Sequence, residues 1–181
     1  MIPRGGFIHV DIDPQVPGVA YPQTETLPVQ ADIQVFVQEL LAQMPAVEQT
    51  NISLPHPDIE VVAPGTDNLV RPEVLMAAIQ QVIVEGTDAV VMAESGNSFT
   101  WSTNLLRFNQ AGRYRVSTGV GAMGHAVTGV VGAAIARHGL AVAIVGDGAM
   151  LMNNEISTAV KYQVPAIWIV LNDARYNMCY Q

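Results

Sequence analysis

The chain has 181 residues, 50% of them hydrophobic and 13% charged, with a formal net charge of −8 at pH 7. This balance favours a folded protein with a buried core over disorder, and the negative charge argues against nucleic acid or an anionic membrane surface as the partner. The single cysteine, Cys179, excludes an internal disulfide framework. No apolar signal region begins the chain and no apolar run reaches membrane-spanning length, so we expect a soluble cytoplasmic protein.

The first part of the chain predicts one strand and one helix. Residues 7–13 alternate apolar and polar side chains and stop at Pro14, which is typical of a strand. A loop spaced by prolines, Pro28 among them, follows, and residues 31–44 carry apolar side chains at helical spacing. Residues 45–70 combine prolines with scattered polar residues, a composition that favours a linker.

The remainder of the chain alternates between strand and helix patterns. The strand patterns cover residues 89–94, 114–118, 141–147 and 166–173, and the helix patterns cover residues 71–84, 122–137 and 151–163. This alternation predicts an α/β fold with a parallel sheet and helices on both of its faces. Because no helix pattern follows the last strand, we expect this fold to be incomplete at the C-terminus. Ligands of such sheets bind at the carboxyl ends of the strands, where we expect the functional residues.

Two acidic residues follow apolar strand patterns at this edge. Asp147 ends one pattern and lies between Gly146 and Gly148. Asp173 ends the next one. On neighbouring parallel strands the two carboxylates would emerge side by side, which suits a hard cation such as Mg2+. The flanking glycines would let backbone amides approach a diphosphate, and a helix beginning near Leu151 would point its positive end toward it.

These motifs resemble the signature of enzymes that depend on thiamine diphosphate (ThDP). Segments between Glu94 and Met178 are similar to the ThDP-dependent acetolactate synthase and 2-oxo acid decarboxylase superfamily, and the N-terminal strand and helix show a weaker likeness. The resemblance implies that residues 1–46 are a remnant of a central domain, that residues 47–70 form a linker, and that residues 71–181 form a truncated pyrophosphate-binding domain with the ThDP-binding fold. The pyrimidine-binding domain of that family would be absent.

The resemblance also assigns the residues of the cofactor site. Asp147 and Asp173 would ligate Mg2+ together with the backbone carbonyl of Arg175. Met123 would wedge between the pyrimidine and thiazolium rings and hold the cofactor bent, and the Gly121 carbonyl would accept a hydrogen bond from its 4′-amino group. The other residues expected to contact the cofactor are Gly96, Asn97, Ser98, Ala122, Gly146, Gly148, Ala149, Tyr176, Asn177 and Met178.

The activity that the resemblance implies belongs to a longer parent protein. With ThDP and Mg2+, the parent would decarboxylate a 2-oxo acid and join the product to a second carbonyl compound. The glutamate that activates the cofactor lies in the pyrimidine-binding domain of that family, on the parent or on a second subunit. This chain alone is therefore expected to be inactive, and the parent to be a homo-oligomer. Simple decarboxylation of a 2-oxo acid and a non-catalytic fragment or paralogue are the alternatives.

A different class of site would fit part of this sequence. Residues 119–124 spell G-x-G-x-x-G, and Asp147 follows at a spacing that suits the ribose-binding acid of a Rossmann oxidoreductase using NAD(P) or FAD. The preceding strand pattern is short and polar for that fold. The Rossmann interpretation also leaves Asp173 and the segment 96–98 without a role.

The chain departs from the resembled family at two points. The spacing between Asp147 and Asp173 is one residue shorter than the commonest one, which places a small deletion near Asn153-Asn154. His125 occupies a position often filled by an aromatic or apolar residue, and it is either a wall residue or a proton donor. These differences bear on the identity of the substrate more than on that of the cofactor.

Overall fold

The structure is a computed structural model that describes residues 4–45, 69–152 and 155–180. The chain divides into two compact units, Met1–Leu54 and Pro55–Gln181, called unit 1 and unit 2 below. Most of the predicted linker lies outside the described residues, and so does the pair Asn153-Asn154 with its predicted deletion.

Unit 1 contains a two-stranded parallel sheet, β1 (Phe7–Asp11) and β2 (Thr26–Gln30), followed by α1 (Ile33–Gln43). The predicted first strand and helix are confirmed. The loop predicted around Pro28 is wrong, because Pro28 lies within β2. A proline is tolerated there since β2 is paired on one side only. Apolar side chains of α1, such as Leu41 at 65% exposure, are not covered within this unit.

Unit 2 is built on a four-stranded parallel sheet that confirms the four later strand patterns. Its strands are β3 (Val90–Ala93), β4 (Tyr114–Val116), β5 (Ala141–Gly146) and β6 (Ala166–Leu171). Their order in the sheet is β4-β3-β5-β6. All residues of β3 are buried, and so are those of β5 up to Val145. These two central strands are therefore the most buried strands of the described residues, as expected for a parallel sheet covered on both faces.

The helices of unit 2 differ from the predicted ones at several ends. They are α2 (Pro72–Ile79), α3 (Asn97–Leu105), α4 (His125–Arg137), α5 (Asp147–Met150) and α6 (Ile156–Lys161), with a π-helical turn at Gln80–Glu85 and a 3-10 turn at Asn177–Cys179. The sequence did not predict α3. The helix predicted over residues 151–163 is confirmed in part by α6 and is wrong at its start, because Leu151 is the C-cap of α5, which begins at Asp147 directly after β5.

Side chains of the central strands alternate between two apolar cores, one on each face of the sheet. Val90 and Met92 belong to the core that contains the buried side of α4. Val91 belongs to the other core, which contains buried side chains of α2 and α3. The structure thus confirms the α/β fold with a parallel sheet and helices on both faces. Among the described residues, no helix combines the length and hydropathy needed to cross a membrane.

A buried arginine fixes the entry of the chain into β3. The guanidinium group of Arg113 donates hydrogen bonds to the carbonyls of Val84, Thr87 and Ala89 at 3.0, 2.7 and 3.2 Å. Val84 lies in the π-helical turn, and Thr87 and Ala89 lie in the connection from that turn to β3. The cation is therefore stabilised by backbone oxygens, and it holds that connection against the segment that leads into β4.

We expect Arg113→Met to lower the free energy of unfolding by about 3 kcal/mol, because three carbonyls lose charged donors. Urea denaturation followed by circular dichroism measures this change. The matched control is Arg115→Met, since the Arg115 side chain is exposed. The control should stay within about 0.5 kcal/mol of the unmodified chain. Equal losses in both variants would contradict the role assigned to Arg113.

Candidate functional site

Four loops begin at one edge of the sheet of unit 2. Ala93 of β3 pairs with Ile144 of β5, and β5 and β6 end together with Gly146 opposite Leu171. Because the strands are parallel, the loops that follow them lie at the carboxyl edge. These loops cover residues 94–98, 117–124, 147–151 and 172–178. Together with Gly146 they contain every residue that the sequence predicts for the cofactor site.

The loop after β3 turns sharply into α3. Gly96 has φ +95° and ψ −153°, a conformation that is essentially restricted to glycine, and α3 begins at Asn97. The buried hydroxyl of Ser98 donates to the Glu94 carbonyl at 2.9 Å and fixes this turn. The predicted diphosphate loop Gly96-Asn97-Ser98 is therefore the start of a helix, where backbone amides have no partner within the helix.

The loop before α4 contains two glycines in the left-handed region, Gly121 at φ +69° and Gly124 at φ +103°. Gly124 immediately precedes α4, so the helix predicted from residue 122 begins at His125 instead. Met123 is 45% exposed, and Ala122 and His125 are exposed as well. The residues predicted to contact the cofactor rings thus form an exposed turn that the core of unit 2 does not cover.

Glu94, which the strand pattern includes only as its last residue, links these two loops. Its side chain is 1% exposed, and one carboxylate oxygen accepts hydrogen bonds from the amides of Ala126 and Val127 at 2.9 and 3.0 Å. The other oxygen accepts the amide of Ser95 at 3.2 Å. Because Gly124 has no side chain to cap α4, Glu94 does so from the end of a strand. An acidic residue at the end of an apolar strand pattern is the sequence feature that could have identified Glu94.

A pocket of about 220 Å3 opens between the loops after β3 and β4. Gly96 and Gly121 both line this pocket, so two residues predicted from different motifs face the same cavity. Ser95, Phe99 and Ser117 line it too, and the sequence did not predict them for the site. Ser95 and Ser117 each lie just beyond the end of a strand, which is the pattern that could have identified them.

Asp147 begins α5 directly after β5. One of its carboxylate oxygens accepts the amide of Gly148 at 2.8 Å. Asp147 is half-buried, whereas Gly148 and Ala149 are buried. A Cβ atom on Gly148 would overlap the ring of Tyr176, so this position needs a residue without a side chain while that ring packs against its backbone.

The loop after β6 folds back toward α5 through two tight turns. Asn172 accepts the amide of Ala174 at 3.1 Å, and Ala174 has φ +58°. The carbonyl of Arg175 accepts the amide of Asn177 at 2.9 Å. Between them, Tyr176 has the φ of −78° and ψ of 72° typical of an inverse γ-turn. The turns direct the Tyr176 side chain onto the loop after β5.

Asp147 and Arg175 line one pocket of about 300 Å3, which Gly148 and Tyr176 also line. The structure therefore brings two of the three predicted Mg2+ ligands to the same cavity. Asp173, the third, is exposed in the loop after β6 and is not among the residues that line this cavity. Its carboxylate would have to reach toward the cavity from outside.

The oxygen atoms around this pocket suit a hard cation. In the part of the chain that the structure describes, no cluster of three or more His, Cys, Asp and Glu side chains could hold a metal ion. The predicted site does not require such a cluster, since it uses two carboxylates and one backbone carbonyl. Mg2+ commonly binds one or two carboxylates and completes its six ligands with water and phosphate oxygens. The donor set is therefore suited to Mg2+ carrying a diphosphate.

Contacts between the loops join the two pockets into one surface. A Cβ atom on Gly96 would lie 3.9 Å from the Cβ of Met178, and one on Gly124 would lie 3.3 Å from the Cβ of Met152. The loop after β6 thus reaches the start of α3, and the residues after α5 reach the start of α4. The predicted residues form one continuous region.

We expect Gly96→Ala to lower the free energy of unfolding by about 2 kcal/mol, because alanine is strained at φ +95° although space for its methyl group is available. Gly146→Ala is the matched control, since Gly146 has φ −78° and open space around its Cβ position. The control should be neutral or slightly stabilising. Thermal and urea unfolding measure both, and a Gly96→Ala variant as stable as the control would refute the assigned conformation.

Comparison with known proteins finds similarity to one group of enzymes. Residues 94–181 match the model described as "Thiamine pyrophosphate enzyme, C-terminal TPP binding domain". A putative acetolactate synthase large subunit of Mycobacterium tuberculosis is 29% identical in an alignment of 178 positions that covers 95% of this chain and 31% of that protein. A probable acetolactate synthase large subunit of Methanocaldococcus jannaschii is 23% identical in an alignment of 198 positions that covers 99% of this chain and 32% of that protein. A putative thiamine pyrophosphate-containing protein of Bacillus subtilis is 26% identical in an alignment of 181 positions that covers 94% of this chain and 31% of that protein.

The chain spans about a third of the length of these relatives. The matched segment begins at Glu94 and includes all four loops of the carboxyl edge. ThDP is the cofactor of this family, and Mg2+ is its usual partner ion. The match and the parallel sheet with its four ligand loops lead to the same conclusion: residues 94–181 are similar to the TPP-binding domain of thiamine diphosphate-dependent enzymes, which supports a fragment of such an enzyme.

Proposed function

We propose that this chain is the diphosphate-binding part of an enzyme that decarboxylates a 2-oxo acid and joins the product to a second carbonyl compound. The observation that carries this proposal is the pocket where Asp147, Gly148 and the Arg175 segment meet at the carboxyl edge of the sheet. The similarity to acetolactate synthase large subunits supports the carboligation step. A 2-oxo acid decarboxylase without carboligation is the alternative within the same class.

In this proposal, the oxygens at the larger pocket hold Mg2+. The carboxylates of Asp147 and Asp173 and the carbonyl of Arg175 bind the cation, and the cation binds the diphosphate. Since the Arg175 carbonyl already accepts one amide at 2.9 Å, its second lone pair would serve the cation. The amide of Ala149 contributes a further donor to the phosphate oxygens, and the amide of Gly148 would join it on exchanging the Asp147 carboxylate, to which it donates at 2.8 Å, for a phosphate oxygen.

The other end of the cofactor would lie against the exposed turn before α4. The side chain of Met123 provides an apolar, adaptable support for the two rings, and the Gly121 carbonyl accepts a hydrogen bond from the 4′-amino group. Gly96, Asn97 and Ser98 contact the diphosphate from the start of α3. Ala122, Tyr176, Asn177 and Met178 complete the contacts. Bound ThDP supplies an electron sink for the carbanion left when a 2-oxo acid loses carbon dioxide.

The chain is proposed to act with a second domain. Residues 1–46 would be a remnant of a central domain, residues 47–70 a linker, and residues 71–181 the pyrophosphate-binding domain. The pyrimidine-binding domain would come from the parent protein or from a second subunit of a homo-oligomer in a reducing cytoplasm. This chain alone would then be inactive, which leaves a non-catalytic role as a further alternative.

The strand order argues against a Rossmann dinucleotide site. The G-x-G-x-x-G segment at residues 119–124 follows β4 and precedes α4, as the Rossmann motif requires. However, β3 lies between β4 and β5 in the sheet, and β4 is an edge strand. In the Rossmann fold the strands on either side of the first helix are neighbours, and the first strand is central. Asp147 after β5 is therefore not placed to bind the ribose in that way.

We expect ThDP to bind the longest protein that contains this chain, and this binding to depend on Mg2+. Asp147→Asn should raise the dissociation constant about tenfold or more, which corresponds to a loss of at least about 1.4 kcal/mol of binding free energy. Isothermal titration calorimetry with and without Mg2+ measures the dissociation constants. The matched control is Asp88→Asn, because Asp88 is an exposed acid at the amino end of β3. Binding of NAD(H) with indifference to ThDP would contradict the proposal.

A further inference from the structure

Glu94 connects three elements of unit 2 through both its backbone and its side chain. Its amide donates to the carbonyl of Ile144 in β5 at 2.9 Å, and its carbonyl accepts the hydroxyl of Ser98 in α3 at 2.9 Å. Its carboxylate accepts the amides of Ala126 and Val127 in the first turn of α4. The residue is therefore a junction between the central strands, the start of α3 and the start of α4.

The carboxylate of Glu94 controls the position of α4 for an electrostatic reason. A charged side chain at 1% exposure is costly unless its oxygens are hydrogen-bonded, and the positive end of a helix supplies both donors and a favourable field. Gly124 cannot contribute a capping side chain, so no cap from within the loop competes with Glu94. A shift of α4 along its axis would break both hydrogen bonds at once.

The turn that contains Gly121 and Met123 leads directly into the first turn of α4, which the Glu94 carboxylate fixes by hydrogen bonds. Met123 is half-exposed and lies three residues before Ala126, the first residue whose amide donates to the Glu94 carboxylate. Gly121 and Gly124, both in the left-handed region, lie on either side of Met123 in this turn. Because these glycines have no side chains, they provide no side-chain contacts that could fix the turn. The distance from this turn to the pocket of Asp147 is then set mainly by where α4 begins.

We propose that Glu94 is a positioning residue that holds the turn of Gly121 and Met123 at the distance from the Asp147 pocket that bound ThDP requires, without touching the cofactor. This inference rests on the proposed function. A ligand that spans both regions, with a diphosphate at one end and aromatic rings at the other, depends on that distance. A diphosphate alone, bound at the Asp147 pocket and the start of α3, does not, because the backbone carbonyl of Glu94 that accepts the Ser98 hydroxyl is present in every side-chain variant.

Two ligands therefore separate the role of Glu94 from a general effect on folding. ThDP and inorganic pyrophosphate, each with Mg2+, are titrated calorimetrically into the longest protein that contains this chain. Glu94→Ala should raise the dissociation constant of ThDP about tenfold, equivalent to about 1.4 kcal/mol, and leave that of pyrophosphate within about twofold. Glu94→Gln keeps an oxygen that can accept both α4 amides, so it should recover most of the ThDP affinity.

A double-mutant cycle tests whether Glu94 acts through Met123. If it does, the loss of ThDP affinity in Glu94→Ala combined with Met123→Ala should be clearly smaller than the product of the two single losses. Glu85→Gln is the matched control, because Glu85 is an exposed glutamate that precedes the amino end of β3. It should change neither affinity. Asp147→Asn should weaken both ligands.

The outcomes distinguish this inference from the proposed function. Equal weakening of both ligands by Glu94→Ala, unchanged ThDP affinity in a folded Glu94→Ala protein, or multiplicative losses in the cycle would overturn the positioning role. If Glu94→Ala does not fold, Glu94→Asp replaces it, since its carboxylate is one methylene too short to reach both amides, and the same criteria apply. An unmodified protein that binds neither ligand would overturn the proposed function, and the positioning role with it.

Discussion

The buried carboxylate of Glu94 is the interaction on which the arrangement of the ligand loops depends. It ends the fully buried strand β3 and accepts two amides from the first turn of α4, 32 and 33 residues further along the chain. A carboxylate in that position is stable only while both amides remain in place, because an unpaired buried charge costs several kcal/mol. The sheet, α3 and α4 are thereby connected at the edge where the loops of the proposed site begin.

That surface is formed largely by backbone. Gly96, Gly121 and Gly124 all have positive φ, and the position of Gly148 has no room for a side chain beneath Tyr176. A phosphate group can approach peptide amides closely where side chains are missing. In the proposed function, the cation is bound by the few ionisable side chains of this surface, such as Asp147. The proposed site therefore combines backbone conformations that favour glycine with few charged groups.

The sheet of unit 2 could be predicted because its strands are apolar runs bounded by glycine and acidic residues, and the same boundaries identified Asp147 and the glycine loops. Local pattern failed where tertiary contacts decide the structure. Pro28 suggested a loop, but pairing on one side accommodates it in β2. The helix predicted from residue 122 begins at His125 in the structure, where the cap of α4 comes from a residue at the end of a distant strand. No spacing in the sequence links Glu94 to the amides of α4, so that contact could only be found in the folded structure.

The central claim is that ThDP and its cation bind at the carboxyl edge of this sheet, between the loops after β5 and β6. A crystal structure of the longest protein containing this chain, grown with ThDP and Mn2+ in place of Mg2+, tests it most directly, since Mn2+ can be located by anomalous scattering. The account predicts one Mn2+ peak about 2 Å from an oxygen of the Asp147 carboxylate and from the Arg175 carbonyl oxygen. The diphosphate should be bound to the same ion. An ion and diphosphate located elsewhere, with this pocket empty in the same crystal, would contradict it.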